Sequence, residues 1–247
     1  MHHQARSSRP HRLPLLAALA LLALALAAPA TAAANTTSLS LVASPEVTPF
    51  GGVAVLTGTL MDTTGVPVAL GGQPVYVWAS PNGTFPGTLL AIVTTGNATP
   101  AYDTGTYTLT VAPVDKTYYQ MTYLAVGPYD ASSSNVVSVT PKVYLSKPRV
   151  PGTVKARQKF KTTVYLQPRH TAGLRSTVKV KAYRRESGKW VRKTTKWMRN
   201  YNYLDMTRCT VKFALKQKGT WRVRAYAPAD GKHAATRSPW SRTFTVK

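Results

Sequence analysis

Side chains able to do covalent, proton-transfer or metal chemistry are few in this 247-residue chain: one cysteine, five histidines and eight carboxylates. Cys209 is the single thiol, so neither an intramolecular disulfide nor a cysteine-based zinc cage can form. It heads the alternating series Cys209, Val211, Phe213 and Leu215, where a small buried hydrophobe is its simplest role. His2, His3 and His11 lie in an N-terminal segment expected to be removed. His170, His233, Asp205 and Asp230 could form an acid–base group, but they fall in unrelated loops without motif spacing, and local turn roles are expected for them. Calcium needs several oxygen ligands together, whereas Asp62, Asp103, Asp115 and Asp130 are dispersed. No catalytic residue, metal site or cofactor is therefore expected. The composition points to a non-enzymatic protein. The alternatives are an exported hydrolase or inhibitor working through the His/Asp loops, and an adhesive or structural spacer without a specific polyanion ligand.

What the chain carries in quantity is positive charge: 32 bases against 8 acids, a net +24. Its distribution is uneven. Residues 35–141 hold one base, Lys116, against five acids, while residues 142–247 hold 28 bases against Glu186, Asp205 and Asp230. In the second half the bases alternate with apolar residues. Lys179 and Lys181 interleave Val178, Val180 and Ala182, with Arg184 following; Arg208 and Lys212 interleave Cys209, Val211 and Phe213; Arg222 and Arg224 interleave Trp221, Val223 and Ala225. A period of two gives each strand one core face and one wet, basic face. Alternate residues at ~7 Å and neighbouring strands at ~4.8 Å lie inside the ~8 Å Debye length, so these charges repel one another. Solubility needs a net charge of only about 2–8. Lys179, Lys181, Arg184, Arg208, Lys212, Arg222 and Arg224 are accordingly the candidate polyanion-binding residues. Their expected partner is an anionic cell-wall glycopolymer or acidic polysaccharide, with a peripheral membrane surface or a protein as further partner classes. No nucleic-acid motif accompanies the charge, and nucleic acid is not expected. A solvated basic face with no specific ligand is the competing reading. Trp190 and Trp221 are expected in the core. Trp197, Tyr201 and Tyr203, around a polar stretch read as irregular at Arg199–Asp205, are candidates for stacking on sugar rings.

These residues need elements to carry them. Arg6, Arg9 and Arg12 precede an apolar run, Leu13–Ala28, and two small-x-small triplets, Ala30-Thr31-Ala32 and Ala32-Ala33-Ala34. This is the layout of a cleaved signal peptide over residues 1–34; the run is shorter than the ~20 residues of a membrane span. A secreted, extracellular or envelope-associated protein is expected, and export without disulfides points to a bacterial source. The charge shift, with Pro141, Pro148, Pro151 and Gly152, divides the rest into domains 35–141 and 142–247 joined by a hinge at Pro141–Pro151. Strands are predicted at Ser38–Ala43, Val53–Leu60, Val75–Ala79, Leu89–Thr94, Thr106–Val111, Tyr118–Ala125 and Val136–Thr140. Seven short strands with frequent turns predict an all-β fold of two tandem Ig-like β-sandwiches. A weak repeat supports the pairing: Thr117-Tyr118 with Tyr123 matches Thr220-Trp221 with Tyr226 at one constant offset.

The stretches Leu166–Gly173, Val178–Arg184, Gly188-Lys189-Trp190-Val191 and Lys218–Tyr226, with Asp230 and His233-Ala234-Ala235, resemble tandem Ig-like modules of exported actinobacterial proteins. That resemblance covers nearly all of residues 142–247 and implies fold and export, with no defined ligand. Residues 35–141 more loosely resemble bacterial Ig-like repeats. Asp103-Thr104-Gly105-Thr106-Tyr107 is similar to the Asp-x-Gly-x-Tyr of immunoglobulin domains, without the cysteine that follows there.

Overall fold

The structure is a computed structural model that describes residues 33–96, 104–170 and 177–247. Residues 1–32 of the expected signal segment, Asp103 and the end of the Leu166–Gly173 motif lie outside the described residues. Every regular element described is a β-strand. Among the described residues, no helix is long and apolar enough to cross a membrane.

The strands form four sheets, paired into two Ig-like sandwiches in tandem. In the first, Ala54–Asp62 is the centre of one sheet, flanked by Thr37–Leu39, Val42–Ser44 and Thr106–Val111. The opposing sheet runs Val47–Thr48, Val137–Pro141, Thr117–Tyr123, Pro74–Ser80, Thr88–Thr94. Apolar residues at alternate positions (Leu56, Leu60, Val75, Val77, Met121, Tyr123 and Val139) fill the space between. Period-two burial is the physical reason these segments are strands, since one pleated face is removed from water and the other is not.

The second sandwich repeats the larger sheet strand for strand. Its order is Thr153–Val154, Phe244–Val246, Gly219–Ala227, Lys179–Glu186, Lys189–Trp197, with the first pair parallel, as Val47–Thr48 is to Val137–Pro141. The offset read from Thr117-Tyr118 and Thr220-Trp221 therefore links topologically equivalent strands. A further likeness escaped the sequence reading. Buried Ser134 and Ser238 each receive a bond on the hydroxyl from the partner strand, from Met121 N at 3.0 Å and Ala225 N at 2.9 Å. Each hydroxyl thus closes the ladder where the next strand leaves.

The smaller sheet of the second sandwich runs Tyr144–Leu145, Lys159–Gln167, Met206–Ala214, Arg199–Tyr203. Arg199–Tyr203 is a regular edge strand rather than an irregular segment. The chain changes sheets at Met198, which is buried and ties to Val178 O through its N–H at 2.9 Å. In the first sandwich Gly105, at φ +54°, accepts a bond from Leu60 N, and a Cβ there would sit 2.4 Å from Leu60 O. This turn delivers Tyr107, whose buried hydroxyl donates to Ser40 O, so the Gly-x-Tyr similarity corresponds to a real tyrosine anchor.

The two cores are separate clusters, one built from residues 39–139 and one from 143–246. At the expected hinge the crossing chain makes backbone hydrogen bonds on both sides. Lys142 N donates to Thr48 O at 2.8 Å and Ala234 N donates to Pro141 O at 2.9 Å, so the chain is hydrogen-bonded to both sandwiches as it crosses. Lys116 N donates to Lys232 O at 2.8 Å alongside.

Candidate polyanion-binding site

The seven predicted cations do not share one face. Lys179 and Lys181 stand opposite Tyr226 and Arg224, and Arg222 opposite Tyr183, on the outer face of the larger sheet. Arg208 and Lys212 stand opposite Tyr165 and Lys161 on the outer face of the smaller sheet, across the core. Arg184 joins neither. It pairs with core Trp221 at the strand end, donates to Lys218 O and Glu186 Oε1, each at 2.9 Å, and is neutralised there. Alternation tells which side of its own strand a residue occupies, but not which sheet the strand joins.

On the larger sheet a groove of about 240 Å³ is lined by Lys181, Arg192, Arg222, Arg224 and Arg237 among Tyr183, Trp190, Tyr226 and Trp240. Arg222 lies 3.5 Å from the Trp240 ring centre and 4.2 Å from that of Trp190, and Lys181 lies 4.1 Å from that of Tyr226. Trp190 was expected inside but faces out, because it pairs with Arg185 beyond the bulge at Ala182/Tyr183. Trp221 is the core tryptophan, as expected. The bulge shifts the register of the edge strand. It brings Arg192 opposite Tyr183, while Lys193 binds Glu186 at 2.8 Å. Sequence alternation carried no sign of this shift, and so Arg192 was missed; Arg237 sits on a two-residue strand too short to show a period.

The electrostatics record the crowding. Burial first, then the charges of Arg192, Arg237 and Lys179, lowers the Lys181 pKa below the ordinary lysine value. Burial first, then Arg224, lowers that of Arg222. The buried Nε atoms of Arg222 and Arg208 have no hydrogen-bond partner. Aromatic faces, rather than carboxylates, hold these guanidiniums. Each such contact is worth about 0.5–2 kcal/mol, depending on desolvation.

The groove on the smaller sheet is larger, about 610 Å³, and is lined by Lys161, Arg199, Arg208 and Lys212 with Trp197 and Tyr201. Trp197 is 53 % exposed and Tyr201 41 %. Arg208 rests 5.6 Å from the Tyr201 ring centre and 5.8 Å from that of Tyr203, and Tyr203 packs on Tyr165 at 5.2 Å. Trp197 stands just before the sheet change at Met198. It receives Lys179 from the larger sheet at 4.1 Å while lining the groove of the smaller one. The indole thus connects the two cationic faces around one edge of the sandwich. Glu186, Asp205 and Asp230 line neither groove; Glu186 binds Arg184 and Lys193, and Asp205 accepts from Gln167 Nε2 at 3.1 Å.

Cys209 is fully buried beside Asn200 Oδ1, and burial pushes its thiol pKa up to about 12. A thiolate at that value is negligible near neutrality. An aromatic disulfide reagent at pH 8 is expected to leave the native chain unlabelled and to titrate one thiol after denaturation. Rapid labelling of the native chain would contradict this burial.

The dispersed His/Asp residues are partly gathered. His170, Asp230 and His233 meet with their ligand atoms within 4.8 Å of one another, while Asp205 remains apart on Gln167.

No family model matches the chain, and no curated protein is similar to it in sequence. Solved structures similar to the chain include the following three. An ICAM-5 D1–D4 ectodomain fragment matches at TM-score 0.43 and 12 % identity, over 85 % of this chain and 53 % of that one. The Yersinia pseudotuberculosis adhesin InvE matches at 0.35 and 16 % identity, over 87 % and 60 %. E. coli alpha-2-macroglobulin in its native conformation matches at 0.34 and 11 % identity, over 86 % and 17 %. The chain thus spans roughly half the length of the first two and a small part of the third.

Proposed function

We propose that this is an exported, non-enzymatic Ig-like protein whose second sandwich holds an anionic glycan polymer of a bacterial envelope. The observation that carries this reading is the pair of acid-free cationic grooves, one on each sheet, with Trp197 lining the larger and receiving Lys179 from the outer face of the other sheet. Unneutralised cations favour phosphate- or carboxylate-bearing chains. Interleaved aromatic rings suit sugar faces, which an inorganic anion would not use. The first sandwich, nearly free of bases, serves as a spacer. The Ig-like export modules that the second sandwich resembles fit the same setting.

The direct test is titration of the full chain with heparin, which offers both charge and sugar rings, and in parallel with poly(glycerol phosphate), which offers charge alone, at rising salt. Binding at low salt with a linear fall of log affinity against log salt is expected, the signature of counterion release. Envelope fractions are expected to release the protein on a high-salt wash. Absence of binding at low salt, or binding indifferent to salt, overturns the reading.

A further inference from the structure

Where the two sandwiches touch, His233 is 3 % exposed and has a carboxylate on each side. Its Nδ1 lies 3.3 and 3.4 Å from the two oxygens of Asp230, and its Nε2 lies 3.3 Å from Asp115 Oδ1 of the first sandwich, out of hydrogen-bond alignment. A neutral imidazole has one proton for two nitrogens. In that form one nitrogen presents its lone pair to an anion.

His170 repeats the conflict. Its Nδ1 is 2.8 Å from Pro168 O, which can only accept, so the proton resides on Nδ1. Its Nε2 then offers a lone pair to Asp230 Oδ2 at 3.7 Å. The two rings stand 5.3 Å apart. Asp230 itself is well fixed: Oδ1 accepts from the N–H groups of Lys232 at 2.8 Å and His233 at 2.6 Å, which leaves Oδ2 facing both rings. One cation between His170 Nε2, His233 Nδ1 and Asp230 Oδ2 relieves all three contacts.

We propose that His170, His233 and Asp230 form a site for a divalent first-row transition ion of the zinc class. Two imidazoles and one carboxylate are ordinary zinc ligands, at about 2.0–2.2 Å each, and leave a fourth position for water. Closing the present separations requires only small side-chain movements. The Pro168 carbonyl already orients His170, and Asp115 Oδ1, 3.3 Å from His233 Nε2, would orient that ring after a small realignment. Since Asp115 also holds Lys232 Nζ at 2.7 Å, the ion would lock the contact between the sandwiches. Neither His/Asp spacing nor a motif marks this site, because His170 lies just beyond the Lys159–Gln167 strand of one sheet and the other two ligands lie in a loop that follows a strand of the opposing sheet.

The test uses the full chain stripped with chelator, then titrated at pH 7.5 with Zn2+ by calorimetry and with Co2+ by visible absorption. The histidines at 2, 3 and 11 are controlled by the variant H170Q, which leaves them intact. Saturable uptake with intense tetrahedral Co2+ bands is expected. H170Q should weaken that uptake at least ~10-fold and erase the bands, and D115N, an outer contact, should weaken it about 10-fold. The melting temperature should rise with Zn2+ concentration in the wild type and not in H170Q. Uptake unchanged in H170Q, or absence of tetrahedral cobalt bands in the wild type, overturns the proposal.

Discussion

The quadruple variant K161Q/R199Q/R208Q/K212Q is expected to bind poly(glycerol phosphate) about 100- to 1000-fold more weakly than the wild type at 0.1 M salt. Its log–log salt slope should be shallower by about 3. The estimate follows from the release of roughly 0.7–0.9 counterion per neutralised charge on a linear polyanion. All four side chains line the larger groove, and none is paired with a carboxylate. Glutamine keeps part of each stem in place, while Arg208→Gln also gives up the guanidinium contact with Tyr201 and Tyr203. The fold should be unchanged by circular dichroism. The control removes the same charge elsewhere: K147Q/K155Q/K216Q/K247Q touches four exposed lysines outside both grooves. If the control loses as much affinity as the groove variant, net charge alone governs binding and the grooves have no special role. The comparison thus separates a built surface from a diffuse positive field, which composition cannot do.

The strands were legible because burial on one face writes a period of two into the chain. Thr106–Val111 lies where Thr, Tyr and Val alternation put it, and Trp221, Val223 and Ala225 turn inward as their spacing requires. The site was legible only as a composition. Lys179 and Arg208 read alike, since each alternates with core residues, yet they occupy opposite faces of the sandwich. What unites the faces is Trp197, and its position depends on Met198 crossing between sheets, a tertiary event with no local signal. Trp190 escaped for a related reason: one bulge inverts which residues of an edge strand face the core. The His170–Asp230–His233 cluster lies further from the sequence still. Its members meet only once both sheets of the second sandwich are assembled.

Replacing Trp221 by alanine is expected to destabilise the second sandwich by about 3–5 kcal/mol, the usual cost of emptying a large aromatic site in a core. Trp221 is 2 % exposed and is the largest fully buried side chain. It stands between Arg184 and Phe244 on neighbouring strands, and its indole N–H donates to Gln217 O at 3.1 Å. Alanine removes the ring and leaves that carbonyl without its donor, so collapse of the walls can recover only part of the loss. A domain of this size has a total stability of about 5–15 kcal/mol. At roughly 4–8 °C per kcal/mol, its melting temperature should fall by about 12–40 °C. Because the two cores share no buried residue, the first sandwich should keep its own transition. Trp78 is its only tryptophan and reports on that transition separately. Calorimetry of W221A should therefore resolve two steps, the lower one accompanied by loss of polyanion affinity. That coupling follows from geometry: Trp221 faces the core from the strand that carries Arg222 and Arg224 on its other face, so the cationic groove cannot outlast the packing beneath it. A shift of only a few degrees, or a single cooperative step in which Trp78 melts with the rest, would show that the sandwiches share their stability through the junction rather than holding it in separate cores.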